Sequence, residues 1–530
     1  MSECEFNLLD EKWIRVLNAD GNVEDAGLLE FFNNAHRYIS LAGDSPTQNI
    51  SLLRLLLAIL YAVHMRQDID GVESYPLTDD EAISRWLDIW DSGSFDSNLF
   101  RDYLEMYRDH FYFIHPTNPF YQTPVRKGTD YPISKFIGNL FESGNKPRLF
   151  SSYNNGPRNS VDYPTAARWL IHLIGFDDTA AKPSESGLPS PGKGWLGKIG
   201  PIFVEGRNLF ETLMLNFVMV DDNGEPFPDG KAPWELDYPR TEERVPIPAP
   251  LSPIEILTLQ SRRIYLGHEG GYIVECRILG GDIVSEENCL VEQMTLWRNR
   301  EDVWVPKLLD PSKSLWRDYS SILVKSLEGE KIRRPGVVNW ACRLFDQYDI
   351  IPYEQISISV AGVSYGRDIS STVLDFIDDG IIVNKRMLSE IGTGMNVRVE
   401  SAISSTDKCI YYLGILENEI LLSEGYDKEQ LKGRMSHAKT QCFYSMDAPF
   451  TRWLASIDPS LEMDDIDYPE KKIMEWLSIV EKMVLHHGRM LVDNCNSRAF
   501  VGINDDKESK TNVFTAFDSF RKKIYSITRK

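Results

Sequence analysis

Between Asn49 and Met65 the chain reads NISLLRLLLAILYAVHM, and this stretch constrains the fold more than any other. Apolar residues recur on every side of the helix that the segment predicts. Such a helix has no face to offer water and must be enclosed by other elements. Its apolar run, Leu52 to Val63, is interrupted by Arg54 and is shorter than the roughly 20 residues that a bilayer requires. A core helix is therefore expected, not a membrane span. The N-terminus has no basic, apolar, small-residue signal pattern, so a cytoplasmic protein without membrane association is expected. A chain of 530 residues that is 42% hydrophobic has enough apolar material for sizeable cores in two or more domains.

Along the chain the pattern changes once. FNLLDEKWIRVL and DAGLLEFFNNAHRY near the start predict a strand or two and then a helix, and helical spacing continues from Ser74 to Tyr112. The prolines of IHPTNPFYQTP interrupt it. A polar, Gly- and Pro-rich loop is expected from Gly144 to Pro164, then a helix at TAARWLIHLIGF, then strands at IFVEG and YIVECRIL. The C-terminal part reads differently. Met446, Phe450, Trp453 and Ile457 form one stripe at helical spacing; Ile473, Trp476, Leu477, Val480, Val484 and His487 form a second. Phe514, Phe517 and Ile524 begin a third, and YYLGILENEILL at Tyr411 to Leu422 adds another helix. Four amphipathic helices make a bundle. The expected class is α+β: a large mixed α/β N-terminal domain, residues 1–378, plus a C-terminal four-helix bundle, residues 379–530.

Seven cysteines show no CxxC pair, and nine histidines show no HExxH or other ligand spacing. Reduced, mostly buried thiols are expected, with no metal and no cofactor. The net charge of −22 excludes a surface that binds nucleic acid as a whole, because affinity for phosphate comes from clustered Lys and Arg. Local basic clusters remain at WRNR (Trp297 to Arg300), KIRRPG (Lys331 to Gly336) and FRKKIYSITRK at the C-terminus.

The segment SPGKGWLGKIGPIFVEG, Ser190 to Gly206, fits two phosphate-binding patterns at once. Gly192, Gly194 and Gly197 read G-x-G-x-x-G, and Gly192 to Lys198 read G-x-x-x-x-G-K. A P-loop needs Ser or Thr after its Lys and then a helix; here Ile199 follows, and Gly200-Pro201 opposes a helix. A dinucleotide site needs a buried strand before the first glycine, whereas AAKPSESGLPSP is loop composition. What these residues support is a flexible surface loop, tolerant of substitution, that carries Lys193 and Lys198 and lets a backbone approach closely.

The order of features is more specific than any one of them. FNLLDEKWIRV, SLLRLLLAIL, NPFYQTP, AARWLIHLIGFD, GKGWLGKIGPIFVEGRNLFETLMLN, QSRRIYL and a bundle containing FYSMDAPFTRWL together resemble the CasA family. That family is the large subunit of Cascade, the RNA-guided surveillance complex of type I-E CRISPR antiviral defence. The resemblance covers nearly the whole chain, with LFETLMLN and LLDEKWI its most specific parts.

The resemblance implies a protein that is not an enzyme. Its partners would be the other Cascade subunits and the guide RNA, double-stranded target DNA, and the helicase-nuclease of the system. It would recognise the protospacer-adjacent motif (PAM) from the minor groove and help to open the strands. The matching glycine-rich stretch, Ser186 to Lys198, puts Gly187, Gly192, Lys193, Gly194, Gly197 and Lys198 at the motif. The minor groove is only about 6 Å wide, so bare backbone fits where side chains do not. A guide- or DNA-contacting loop corresponds to FSSYNNGP, with Phe150, Tyr153, Asn154 and the following Arg158. A strand-separating wedge corresponds to Arg367, Asp368 and Ser370, without the glutamine that the family often carries. Only Cys276 stands where some relatives have a zinc knuckle. Two other readings follow from the residues: a protein-interaction scaffold that does not read DNA, and a nucleotide-dependent enzyme using the Gly-rich loop.

Overall fold

The computed structural model describes residues 4–123, 129–138, 159–178, 192–237, 250–324, 331–348, 350–366, 373–431, 436–504 and 510–529. The chain divides into two compact units. The first comprises Met1–Lys313, Ser326–Ala341 and Ser357–Gly380; the second comprises Ser314–Lys325, Cys342–Ile356 and Ile381–Lys530. The second unit therefore includes two segments that precede residue 379.

At the centre of the first unit is the helix Pro46–His64. Ser45 caps it by accepting a hydrogen bond from the Gln48 amide, and Pro46 occupies its first turn. It is long and apolar enough to cross a membrane, but its residues are buried inside the unit. The helices Ser97–Met106, Tyr163–Phe176, Leu209–Asn216 and Pro253–Leu257 pack around it. Its one internal charge, Arg54, is 2% exposed and makes a bidentate pair with Glu292, both contacts at 2.8 Å. Several small sheets surround these helices. Ile14–Asn18 lies between Val23–Ala26 and Tyr38–Leu41. Arg262–Glu269 pairs antiparallel with Tyr272–Gly280 along its whole length. Ile202–Glu205, the expected IFVEG strand, pairs with Gln355–Tyr365, which in turn neighbours Val373–Asn384.

In the second unit four helices pack together: Thr393–Glu424, His437–Ala455, Tyr468–Asp493 and Val513–Thr528. The first begins well before the Tyr411 expected from the apolar pattern. Phe450, Trp453 and Trp476 form an aromatic core, and the Trp476 indole donates to Thr406 Oγ1 at 2.9 Å. The third stripe needs correction. Asn512 caps the last helix through the amides of Phe514 and Thr515, and the buried face is Val513, Ala516, Phe520 and Ile524. Phe514 is 62% exposed and meets Phe500 instead. Apolar spacing allowed two phases of this helix, and the close packing of Phe520 on Gly488 selects one.

All seven cysteines are free and five are buried. Burial pushes the Cys409 and Cys442 thiols up to about 12, which keeps them unreactive.

Candidate nucleic-acid interface

The chain leaves the Tyr163–Phe176 helix through Asp177 and Asp178, and the described structure resumes at Gly192. Gly192 has φ of +70°, and a Cβ on it would meet nothing within 4 Å. Backbone conformation, not crowding, calls for glycine here. Its carbonyl accepts from Arg262 Nη2 at 2.5 Å.

Two residues on, the requirement is the opposite. Gly194 is buried, its amide donates to the Asp177 carbonyl at 2.9 Å, and a Cβ would lie 2.2 Å from the Gly175 carbonyl oxygen. A single helical turn follows, Trp195–Ile199, ended by Gly200 at φ +59°. The Trp195 amide donates to Ser261 Oγ at 3.1 Å and its indole to Glu292 Oε2 at 2.8 Å. A Cβ on Gly197 would lie 2.6 Å from the Tyr365 hydroxyl. The expected flexible loop is therefore, from Gly194 onward, a clamped elbow intolerant of side chains. Glycine appears here because Gly175 and Tyr365 approach closely, a tertiary cause that local composition does not contain. The first amides of the turn already have protein acceptors, so they are not available to cradle phosphate in the manner of a P-loop.

The two lysines differ. Lys198 pairs with Glu286 at 3.1 Å. Lys193 is half-buried with its ammonium 5.0 Å from the centre of the Tyr365 ring. Burial holds the Lys193 pKa below the usual lysine range, with Glu286 opposing and Lys198 reinforcing. A desolvated ammonium of this kind gains from contact with an anion.

Beneath the elbow is a buried ion cluster that sequence reasoning did not foresee. Asp177 lies between Arg262 Nε at 2.5 Å and Lys135 Nζ at 3.3 Å, while Asp178 takes Lys135 at 2.5 Å. Arg262 Nη2 also donates to the Asp178 carbonyl at 3.0 Å. None of these four residues is more than 7% exposed. Burial alone would lower the Lys135 pKa, but Asp177 and Asp178 raise it, so the cation is retained. The Tyr365 hydroxyl donates to the Phe176 carbonyl at 2.6 Å. The signal in the sequence was charge at positions that apolar spacing would bury: Asp177-Asp178 after an apolar helix, and Arg262-Arg263 opening an apolar strand.

Two of the basic stretches become adjacent strands. Trp297–Arg300 pairs with Val303–Pro306 on one side and Ile332–Arg333 on the other. Arg298 and Arg300 share one face by strand alternation. Burial and then Arg300 lower the Arg298 pKa. The strand adjoins the elbow, since Thr295 Oγ1 donates to the Ile199 carbonyl at 2.5 Å.

Gly187, the loop residues Phe150, Tyr153, Asn154 and Arg158, and the wedge residues Arg367, Asp368 and Ser370 lie outside the described residues. Among the described residues no group of His, Cys, Asp and Glu could hold a metal ion.

Fold and site together define a class: a two-unit α+β protein with a buried ion cluster at the base of its glycine-rich elbow. Within that class, residues 7–487 match the family described as CRISPR-associated protein Cse1 (CRISPR_cse1), and the chain belongs to this family. The chain is 29% identical over 339 residues to a Thermus thermophilus protein named CRISPR-associated protein CasA/Cse1, a match spanning 62% of each, less than two thirds of that relative's length. The crystal structure of Thermobifida fusca Cse1 superposes with a TM-score of 0.80 at 25% identity, covering 99% of this chain and 98% of that one. A chain of a structure described as a CRISPR RNA-guided surveillance complex shares the fold, with a TM-score of 0.69 at 14% identity and coverage of 98% and 99%.

Proposed function

We propose that this chain is the non-catalytic Cse1 subunit of a CRISPR RNA-guided surveillance complex. In that role it recognises the protospacer-adjacent motif in duplex DNA, helps to open the target and helps to recruit the helicase-nuclease. The observation that carries the reading is the division of the glycine elbow. Gly194, Gly197 and Lys198 are committed to the protein, whereas Gly192 faces open space and Lys193 holds a half-desolvated ammonium beside it. The reader is then the stretch up to Lys193, including Gly187, and Gly194 to Lys198 are its base. Bare backbone enters the minor groove, whose degenerate acceptor pattern suits tolerant reading of a short motif. Arg298 and Arg300, on the strand adjoining the elbow, provide a local basic track for phosphates, which reconciles DNA binding with a strongly acidic chain. Phe150, Tyr153, Asn154 and Arg158 serve guide or DNA contact, and Arg367, Asp368 and Ser370 serve strand opening.

The test is binding of the reconstituted complex to duplexes that differ only in the motif, across a salt series. Lys193→Ala should weaken both duplexes and reduce the salt slope by about one unit if the ammonium meets phosphate. Equal affinity of the parent complex for both duplexes would rule out motif reading.

A further inference from the structure

The segments assigned above to guide contact, motif reading and strand opening lie largely outside the described residues, yet the residues flanking them meet at one place. Lys135 precedes residues 139–158. Asp177 and Asp178 precede residues 179–191, and Gly192 and Gly194 follow them. Tyr365 precedes residues 367–372. Lys135 binds both aspartates, and Arg262 binds Asp177 together with the Asp178 and Gly192 carbonyls. Tyr365 donates to the Phe176 carbonyl, backs Gly197 with its ring and lies against the Lys193 ammonium.

Two carboxylates and two cations balance, so the cluster is neutral as long as all four residues are present. Stability alone does not call for it, because apolar residues of similar volume often replace a buried ion cluster without loss. What apolar residues do not replace is direction. The Arg262 guanidinium orients the carbonyls on either side of residues 179–191, and the Tyr365 hydroxyl orients the carbonyl at the end of the preceding helix. Charge-assisted and hydroxyl hydrogen bonds of this kind fix geometry as well as energy.

We propose that Asp177 and Tyr365 are positioning residues for motif recognition: from one hub at the end of the Tyr163–Phe176 helix they hold both flanks of residues 179–191 and the preceding flank of each of the other two segments in a common arrangement, without touching nucleic acid. The inference rests on the function proposed above. It means that motif reading depends on residues buried away from DNA, and that guide contact and motif reading are mechanically linked.

The experiment uses the fully reconstituted, guide-bearing complex with Asp177→Asn and, separately, Tyr365→Phe, which removes only the hydroxyl and keeps the ring beside Lys193. Three quantities are measured: thermal stability of the chain, association with the guide-bearing assembly, and affinity for duplexes with and without the motif. The preference for the motif should fall roughly tenfold for Asp177→Asn and about threefold to tenfold for Tyr365→Phe, the size of one lost hydrogen bond. Motif-free binding and its salt slope should stay at the parent value. Should Asp177→Asn fail to fold, Tyr365→Phe decides the matter alone. An unchanged preference in folded variants overturns the proposal, as does a proportional loss on both duplexes together with lowered thermal stability, which marks a structural role only. A parent complex with no motif preference defeats the proposed function itself and this inference with it, an outcome visible before any variant is made.

Discussion

Gly192 and Gly194 look equivalent in the sequence and are not. At Gly194 a methyl group would press into the backbone carbonyl of Gly175, which has no side-chain freedom with which to yield. At Gly192 there is space, and only the left-handed φ penalises a side chain. Gly194→Ala is expected to cost about 3 kcal/mol or more, the upper end of overpacking effects, and Gly192→Ala about 1 to 2 kcal/mol. Urea unfolding of the two variants measures the order, and equal costs would contradict the clamped elbow. Lys193→Ala, at a half-buried and solvent-reaching position, should leave unfolding within about 0.5 kcal/mol of the parent. The neighbouring positions therefore separate stability from recognition.

Among elements, two enclosed helices, Pro46–His64 and Tyr163–Phe176, each bury a histidine. Burial lowers the His64 pKa to about 4 and the His172 pKa to about 3. A histidine depressed in the folded state binds its proton more readily when unfolded. Its contribution is intact above the unfolded pKa near 6.5 and is lost as pH falls. Unfolding free energy should therefore drop between about pH 6.5 and pH 4 at about 1.4 kcal/mol per pH unit for each histidine. His64→Leu should reduce that slope by roughly half the histidine share, and a slope unchanged in the variant would contradict the assignment. The same core contains the Arg54–Glu292 pair, both partners essentially inaccessible. Arg54→Met removes the cationic partner of Glu292 and leaves the carboxylate with only the Trp195 indole and the Met294 amide for support, which should cost about 3 to 5 kcal/mol. Arg54→Met with Glu292→Gln should recover much of this, measured by the same unfolding series.

At the scale of the whole molecule, a chain of net charge −22 meets nucleic acid only through local basic groups, so its place within an assembly matters more than its average charge. Charge reversal at Arg148 or Arg158, in a stretch too polar for a core, is expected to weaken association with a guide-bearing assembly. Each lost phosphate contact should also reduce the salt slope by about one unit. Unchanged association of folded variants would remove that stretch from the guide interface. Nucleotide turnover is not expected, because the elbow amides already have acceptors within the protein. ATP hydrolysis abolished by Lys198→Ala would reverse that conclusion.

Patterns that depend on one residue and its near neighbours were readable directly. The apolar run around Leu52 to Val63 dictated an enclosed helix, and the Met446 and Trp476 stripes dictated packed helices, because periodicity is a property of a single element. The family was legible too, from the order of segments along the chain. The phase of the last helix was not, since Phe514 and Val513 compete for the interior and only the fit of Phe520 on Gly488 chooses between them. Nor was the elbow. The reasons for Gly194 and Gly197 are Gly175 and Tyr365, and the partners of Asp177 are Lys135 and Arg262. These residues are distant in sequence, and only tertiary packing puts them within reach. Sequence alone determined the enclosed helix, the packed helices of the Met446 and Trp476 stripes, the strands at IFVEG and YIVECRIL, and the family these segments compose. Which glycine is free and which is clamped, and which charges are shared between distant segments, was decided in three dimensions, because close approach and ion pairing depend on the distance between atoms and not on their separation along the chain.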